Sequence, residues 1–131
     1  MYPARSLDHE EIEFALAYLT GALPCKVSGV TLMTLEGELI GQCLVRYDNH
    51  RLATLHSIAH TLASQMAADL GTGDFRYNFH VCANGVTLTL LLQERYLVCI
   101  SARDVRSLDD MLAAVHEGIL PLKDVLGIGR P

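Results

Sequence analysis

The sequence predicts an α+β domain with elements in the order α-β-β-α-β-β-β-α, a five-stranded antiparallel sheet carrying helices on both faces. Three features predict it. Apolar residues recur at helical spacing in three separate stretches, and short runs rich in Val, Leu, Ile and Thr lie between them, joined by tight turns. The later strand runs are also apolar on both parities: Leu88, Leu90 and Leu92 stand beside Leu91, and Val98 and Ile100 beside Leu97 and Cys99. A sheet with two apolar faces has to be covered on both.

From Asp8 to about Thr20, Ile12, Ala15, Leu16 and Leu19 repeat at helical spacing; Asp8 with Glu11 resembles a capping box, and Gly21 and Pro24 are stop signals. GVTLMTL, the Gly37-centred turn EGE and LIGQCLV then read as a hairpin. A long helical pattern occupies about 49 to 70 and ends at Gly71, and GTGD is a loop. FRYNFHVCA, the Asn84-Gly85 turn, VTLTLLLQ, a Glu94-Arg95 turn and YLVCISA form a three-stranded meander. Ser107 and Asp110 box the start of the last helix, whose face is Leu108, Met111, Leu112, Val115 and Ile119; Pro121 kinks or divides it before Val125 and Leu126.

No linker, repeat or low-complexity tract interrupts these signals, and 131 residues suffice for one domain, 1–131, with a core of its own. Half of the residues are hydrophobic and the mean hydropathy is +0.26, yet no apolar run is long enough to span a bilayer. Excess apolar surface in such a chain is expected to be buried between copies. A net charge of −5 opposes nucleic acid or an anionic membrane as main partner, and MYPARSLDHEE does not read as a secretory signal, so the expected location is the cytoplasm. Cys25, Cys43, Cys82 and Cys99 form no CxxC pair, which argues against structural zinc and a disulfide framework.

The most suggestive stretch is TLHSIAHTLASQM, residues 54–66. On a helix, Leu52, Leu55, Ile58, Ala59, Leu62, Met66 and Leu70 gather on one side, expected to face the sheet. His56, His60, Ala63 and Ala67, with Ala53 and Ser64 at the margin, form a second stripe. Histidines at i and i+4 suit zinc, but Ser57 stands where a metalloprotease has Glu, and no third ligand is near in sequence, so no metal is expected. The small residues suit a close contact between two helices, with the imidazole tips at its rim. Asp at Ala63 or Ala67 is expected to split such a contact. His80 and Cys82 share a strand face but sit too far apart for a nucleophile and its base. GTGD lacks the Lys and the Gly spacing of a phosphate loop. Arg46, Arg51, Arg103 and Arg106 flank helix starts, where solvated loop charge accounts for them without a role at a phosphate. No catalytic set and no cofactor site is apparent.

The order of elements, the stretch GVTLMTLEGELIGQ followed by a long helix rich in Leu and Ala, and ANGVTLTLLLQERYLVCISA before a last helix resemble the roadblock (dynein light chain type) domain. That resemblance implies a homodimer. The long second helix packs on its copy, and the first meander strand, with Arg76, Tyr77 and Phe79, joins its copy in a ten-stranded sheet. It also implies a noncatalytic scaffold: many family members bind or regulate small Ras-like GTPases, bacterial gliding-motility members among them. A PAS-like sensor enclosing a small ligand has a related layout and is the alternative.

Overall fold

The computed structural model describes residues 7–44 and 48–128; the opening residues 1–6 and Arg46 lie outside that range. Asp8 accepts the backbone N–H groups of Glu10 and Glu11 and starts α1 (His9–Ala22). The helix runs through Gly21, the expected stop, and ends at Ala22, with Leu23 as its cap. Its buried stripe of Ile12, Ala15, Leu16 and Leu19 holds the last turn despite the glycine. β1 (Lys26–Thr34) pairs antiparallel with β2 (Leu39–Cys43) across the turn at Gly37, whose φ is +88°. β2 is shorter than the expected run, because Leu44 turns away with φ 60°.

Asp48 caps α2 (Asn49–Leu70) by accepting the Arg51 N–H, and left-handed Gly71 closes it, with Thr72 N–H donating to the Ala67 carbonyl. β3 (Tyr77–Cys82), β4 (Gly85–Leu92) and β5 (Tyr96–Arg103) form the meander. Cys82 pairs with Gly85, so the first loop is Ala83-Asn84 and Gly85 opens β4. A Cβ there would stand 3.0 Å from the Ala102 carbonyl oxygen, a close approach that asks for glycine. The second loop centres on Gln93 and Glu94, both left-handed, rather than on Glu94-Arg95. Ser107 caps α3 (Leu108–Gly118), and Pro121 in the first turn of α4 (Leu120–Leu126) divides the C-terminal helix, as its sequence position predicts.

The sheet order is β2-β1-β5-β4-β3 with antiparallel neighbours throughout, which leaves β3 at one edge. α1, α3 and α4 cover one face over the main core, which includes Leu16, Leu19, Val30, Leu32, Leu88, Ile100, Met111 and Val115. Contact is close enough that a Cβ on Gly41 of β2 would sit 2.8 Å from Ile12 Cγ2. α2 covers the other face, where a smaller buried group joins Met33, Ala53, Leu97 and Cys99.

The two faces differ in chemistry. On the α2 side, Thr31, Cys99, Thr89 and Asn78 stand in one cross-strand row through β1, β5, β4 and β3, and Ser101, Thr87 and His80 in the next. Thr87 and Ser101 hydroxyls lie 3.3 Å apart, a hydrogen bond within that row. This face is therefore half polar. α2 meets it with small and polar residues, not with its leucines.

Candidate functional site

The inversion of α2 corrects the expected orientation. Leu55, Ile58, Leu62, Met66 and Leu70 do not face the sheet: Ile58 is 53%, Leu62 56% and Met66 61% exposed. Ala53 and His56 meet the sheet, and Ser57 the β1 end beside it. Ala53 is buried between Met33 and Leu97 and closes on Gly37, and the Ser57 hydroxyl donates to the Leu35 carbonyl. The helical wheel separates the two stripes correctly, but a Thr/Cys/Asn row offers leucines nothing to pack on, while imidazole and hydroxyl groups find partners there.

His56 is the centre of that contact. Its Nε2 lies 2.9 Å from Cys99 Sγ, and its Nδ1 3.5 Å from Thr89 Oγ1. Both contacts are satisfied when the Cys99 thiol donates to Nε2 and Nδ1–H donates to the Thr89 hydroxyl. Burial, with a smaller contribution from His80, holds His56 below the ordinary imidazole range. Burial likewise pushes the Cys99 thiol up to about 12, only partly offset by the Thr89 hydrogen bond. Thiol and imidazole are thus both neutral, the reverse of the thiolate–imidazolium pair of a cysteine nucleophile. Thiol-alkylating reagent near neutral pH is expected to label exposed Cys82 in the native protein and to reach Cys99 only after denaturation, read by mass spectrometry of peptides. Rapid native labelling of Cys99 would contradict this arrangement.

One turn on, the His60 ring meets Phe75 edge-on at 5.1 Å, and burial also lowers its basicity. Among the described residues its Nδ1 and Asn78 Oδ1 are buried without a hydrogen-bond partner. His60 lines an open cleft of about 570 Å³ with Ser64, Ala67, Asp74, Phe75 and Glu94. No group of three or more potential metal ligands is assembled among the described residues.

Of the residues expected at a contact between copies, Ala53, His56 and His60 are thus engaged within their own chain, and Ala63 and Ala67 are half-buried at the flank of α2. Arg76 and Tyr77 are exposed at the β3 edge, whereas Phe79 is half-buried against the main core and stacks edge-on with Tyr77. His80 and Cys82 share a face as expected, and both are exposed. Arg51, Arg103 and Arg106 are exposed. What remains as a candidate interface is the outward stripe Leu55-Ile58-Leu62-Met66 on α2, with β3 at a sheet edge. An exposed apolar stripe and an open edge strand are each surfaces that folded chains ordinarily cover. The sequence does show that one side of the meander is less apolar, since Thr87 and Thr89 alternate with Leu88 and Leu90, and Asn78 and His80 with Phe79, but not which helix face covers that side.

The family model for the Roadblock/LC7 domain matches residues 25–102, from the start of β1 to the end of β5. The chain belongs to the Roadblock/LC7 family. Solved structures repeat its fold at low sequence identity. MglB of Myxococcus xanthus superposes with a TM-score of 0.80 at 19% identity, covering 97% of this chain and 93% of its own. The gliding protein MglB of Thermus thermophilus gives 0.75 at 15%, covering 95% and 93%. A Roadblock/LC7 domain from Streptomyces avermitilis gives 0.77 at 13%, covering 88% and 97%. No curated protein matches the sequence. The roadblock match places β3 and α2 inside the family segment and leaves α1, α3 and α4 outside it. No helix among the described residues is long and apolar enough to cross a membrane.

Proposed function

We propose that this roadblock domain works as a noncatalytic homodimer that scaffolds or regulates a small Ras-like GTPase. The observation that carries the dimer is the outward Leu55-Ile58-Leu62-Met66 stripe of α2, exposed on the same protomer that leaves β3 at a sheet edge. Antiparallel packing of α2 on its copy, with β3 paired to its copy, removes both from water and joins two five-stranded sheets into one of ten. A solved MglB described with a tetrameric arrangement, at a TM-score of 0.76 and 15% identity, supports self-association as a habit of this fold.

The GTPase comes from the roadblock resemblance. The chain itself contributes no phosphate loop, since residues 71–74 read GTGD and serve as the turn after α2. The partner is therefore the nucleotide-binding protein, and the dimer offers it two protomers across a two-fold axis. One GTPase per dimer is the natural stoichiometry if the partner straddles that axis. A sensor would instead enclose its ligand, whereas two clefts among the described residues, about 570 and 600 Å³, are open to solvent.

The test is light scattering of the purified chain, followed by calorimetry against small Ras-like GTPases of the same cell loaded with GTP analogue or GDP. A dimer that binds at least one of them, and hydrolyses no GTP alone, is the expected result. A monomer at micromolar concentration, or a dimer that binds none, would overturn the corresponding half.

A further inference from the structure

We infer that His56, with His80 beside it, makes the seating of α2 on its own sheet sensitive to protonation, so that the helix loosens in a mildly acidic medium. Among the described residues, the contacts that seat α2 include Ala53 against Met33 and Leu97, Ser57 on the Leu35 carbonyl, and His56 on Cys99 and Thr89. Leu55, Leu62 and Leu70 point away. With those leucines outside the seat, the two polar contacts of the imidazole are part of what orders the helix.

A second proton on that imidazole is badly placed. Nε2–H would then point at Cys99 Sγ, 2.9 Å away, a weak acceptor that carries its own proton, since the thiol is pushed up to about 12 and supplies no thiolate. The groups facing His56 are Cys99 from β5, Thr89 from β4 and His80 from β3, with Thr31 of β1 next to Cys99 in the same row. None is a carboxylate. His80 adds like charge when it too is protonated. The acidic side chains on the neighbouring segments belong to other surroundings. Asp74 and Glu94 line the cleft with His60, Glu36 and Glu38 are exposed beside the Gly37 turn, and Asp48 and Asp69 are exposed towards the ends of α2. No carboxylate thus faces His56 to offset a charge there.

The sign follows from the lowered basicity of His56. Its neutral form is favoured in the fold, so the stabilisation is fully present above the ordinary imidazole value of 6.5 and is lost as pH falls from there through the lowered value. The outward stripe is the back of the same helix, so the proposed dimer would weaken with it; that consequence alone rests on the homodimer reading.

The experiment is backbone hydrogen exchange on the full chain at about pH 7.5 and about pH 5.5, on either side of the unperturbed imidazole value, after correction for intrinsic rates. Protection of α2 amides is expected to fall severalfold on acidification relative to β1 and β5. His56→Gln, neutral at both values, is expected to abolish the difference, His80→Gln to reduce it, and His116→Gln, at an exposed site on α3, to leave it unchanged. If His56→Gln fails to fold, nuclear magnetic resonance of the imidazoles decides, with His56 titrating below the ordinary range and moving up in His80→Gln. Unchanged α2 protection in the wild type, full pH dependence in His56→Gln, or an ordinary His56 titration would overturn the inference. Light scattering on the same samples separates the two readings: a monomer at both pH values removes the dimer, while the exchange of α2 amides still decides whether the seat responds to protonation.

Discussion

Leu62→Asp, alone or with Ile58→Asp, is expected to give a folded monomer. Both side chains are more than half exposed in the protomer, so a carboxylate there is solvated and the circular dichroism and thermal midpoint of the isolated chain should change little. Between two copies of α2 the same carboxylate is desolvated with no cation to meet it. The outward side of α2 carries Leu55, Ile58, Leu62 and Met66, and the two-fold sets acid near acid. Stranding such a charge costs several kcal/mol, on the order of a hundredfold or more in dissociation constant for each interface. Light scattering over a micromolar dilution series reads the result, and a variant dimer of unchanged affinity would remove α2 from the interface. Ala63 and Ala67 differ from these in their burial within one chain. They are half-buried on the flank of α2, so Asp there is expected to disturb the seating of the helix as well as a contact between copies.

Leu16→Ala is expected to be the most costly of the simple core changes. Leu16 is fully buried on α1 and faces Gly41 of β2, where its Cδ1 lies 3.2 Å from the position a Cβ would take. Truncation leaves a cavity under α1 and should cost about 3 kcal/mol, the usual range for a buried leucine being roughly 2.7–5.0 kcal/mol. That is a large part of a domain's total of about 5–15 kcal/mol. Urea unfolding should show the midpoint falling with the slope unchanged. Gly41→Ala is destabilising for the opposite reason, since its methyl would come within 2.8 Å of Ile12 Cγ2. In the double variant the new methyl occupies part of the space Leu16 vacates, so the two losses should sum to less than their separate values. Strict additivity would show that α1 and β2 do not pack as described.

Most elements were legible from local signals. Asp8 and Ser107 announce their helices because a side-chain oxygen satisfies amides that the first turn leaves free, and Gly71 ends α2 because it takes the left-handed conformation at no steric cost. Gly21 misled because a glycine late in a helix is only a weak penalty, which the burial of Leu19 and Leu23 outweighs. The first meander turn shifted by one residue because Gly85 is required by the Ala102 carbonyl opposite, a neighbour on another strand, and not by the turn itself.

The sequence by itself determined the order of elements, the covered sheet and the division of α2 into an apolar stripe and a small, histidine-bearing one, since these depend on spacing along one segment. Which stripe faces inward was decided only by the tertiary structure. Thr31, Cys99, Thr89 and Asn78 lie far apart in the chain, and they become a polar row only when β1, β5, β4 and β3 are set side by side in that order and register. Once the row exists, hydroxyl and thiol groups that would be left unpaired beneath leucine select the imidazole of His56, and the leucines are turned outward to where another chain can cover them.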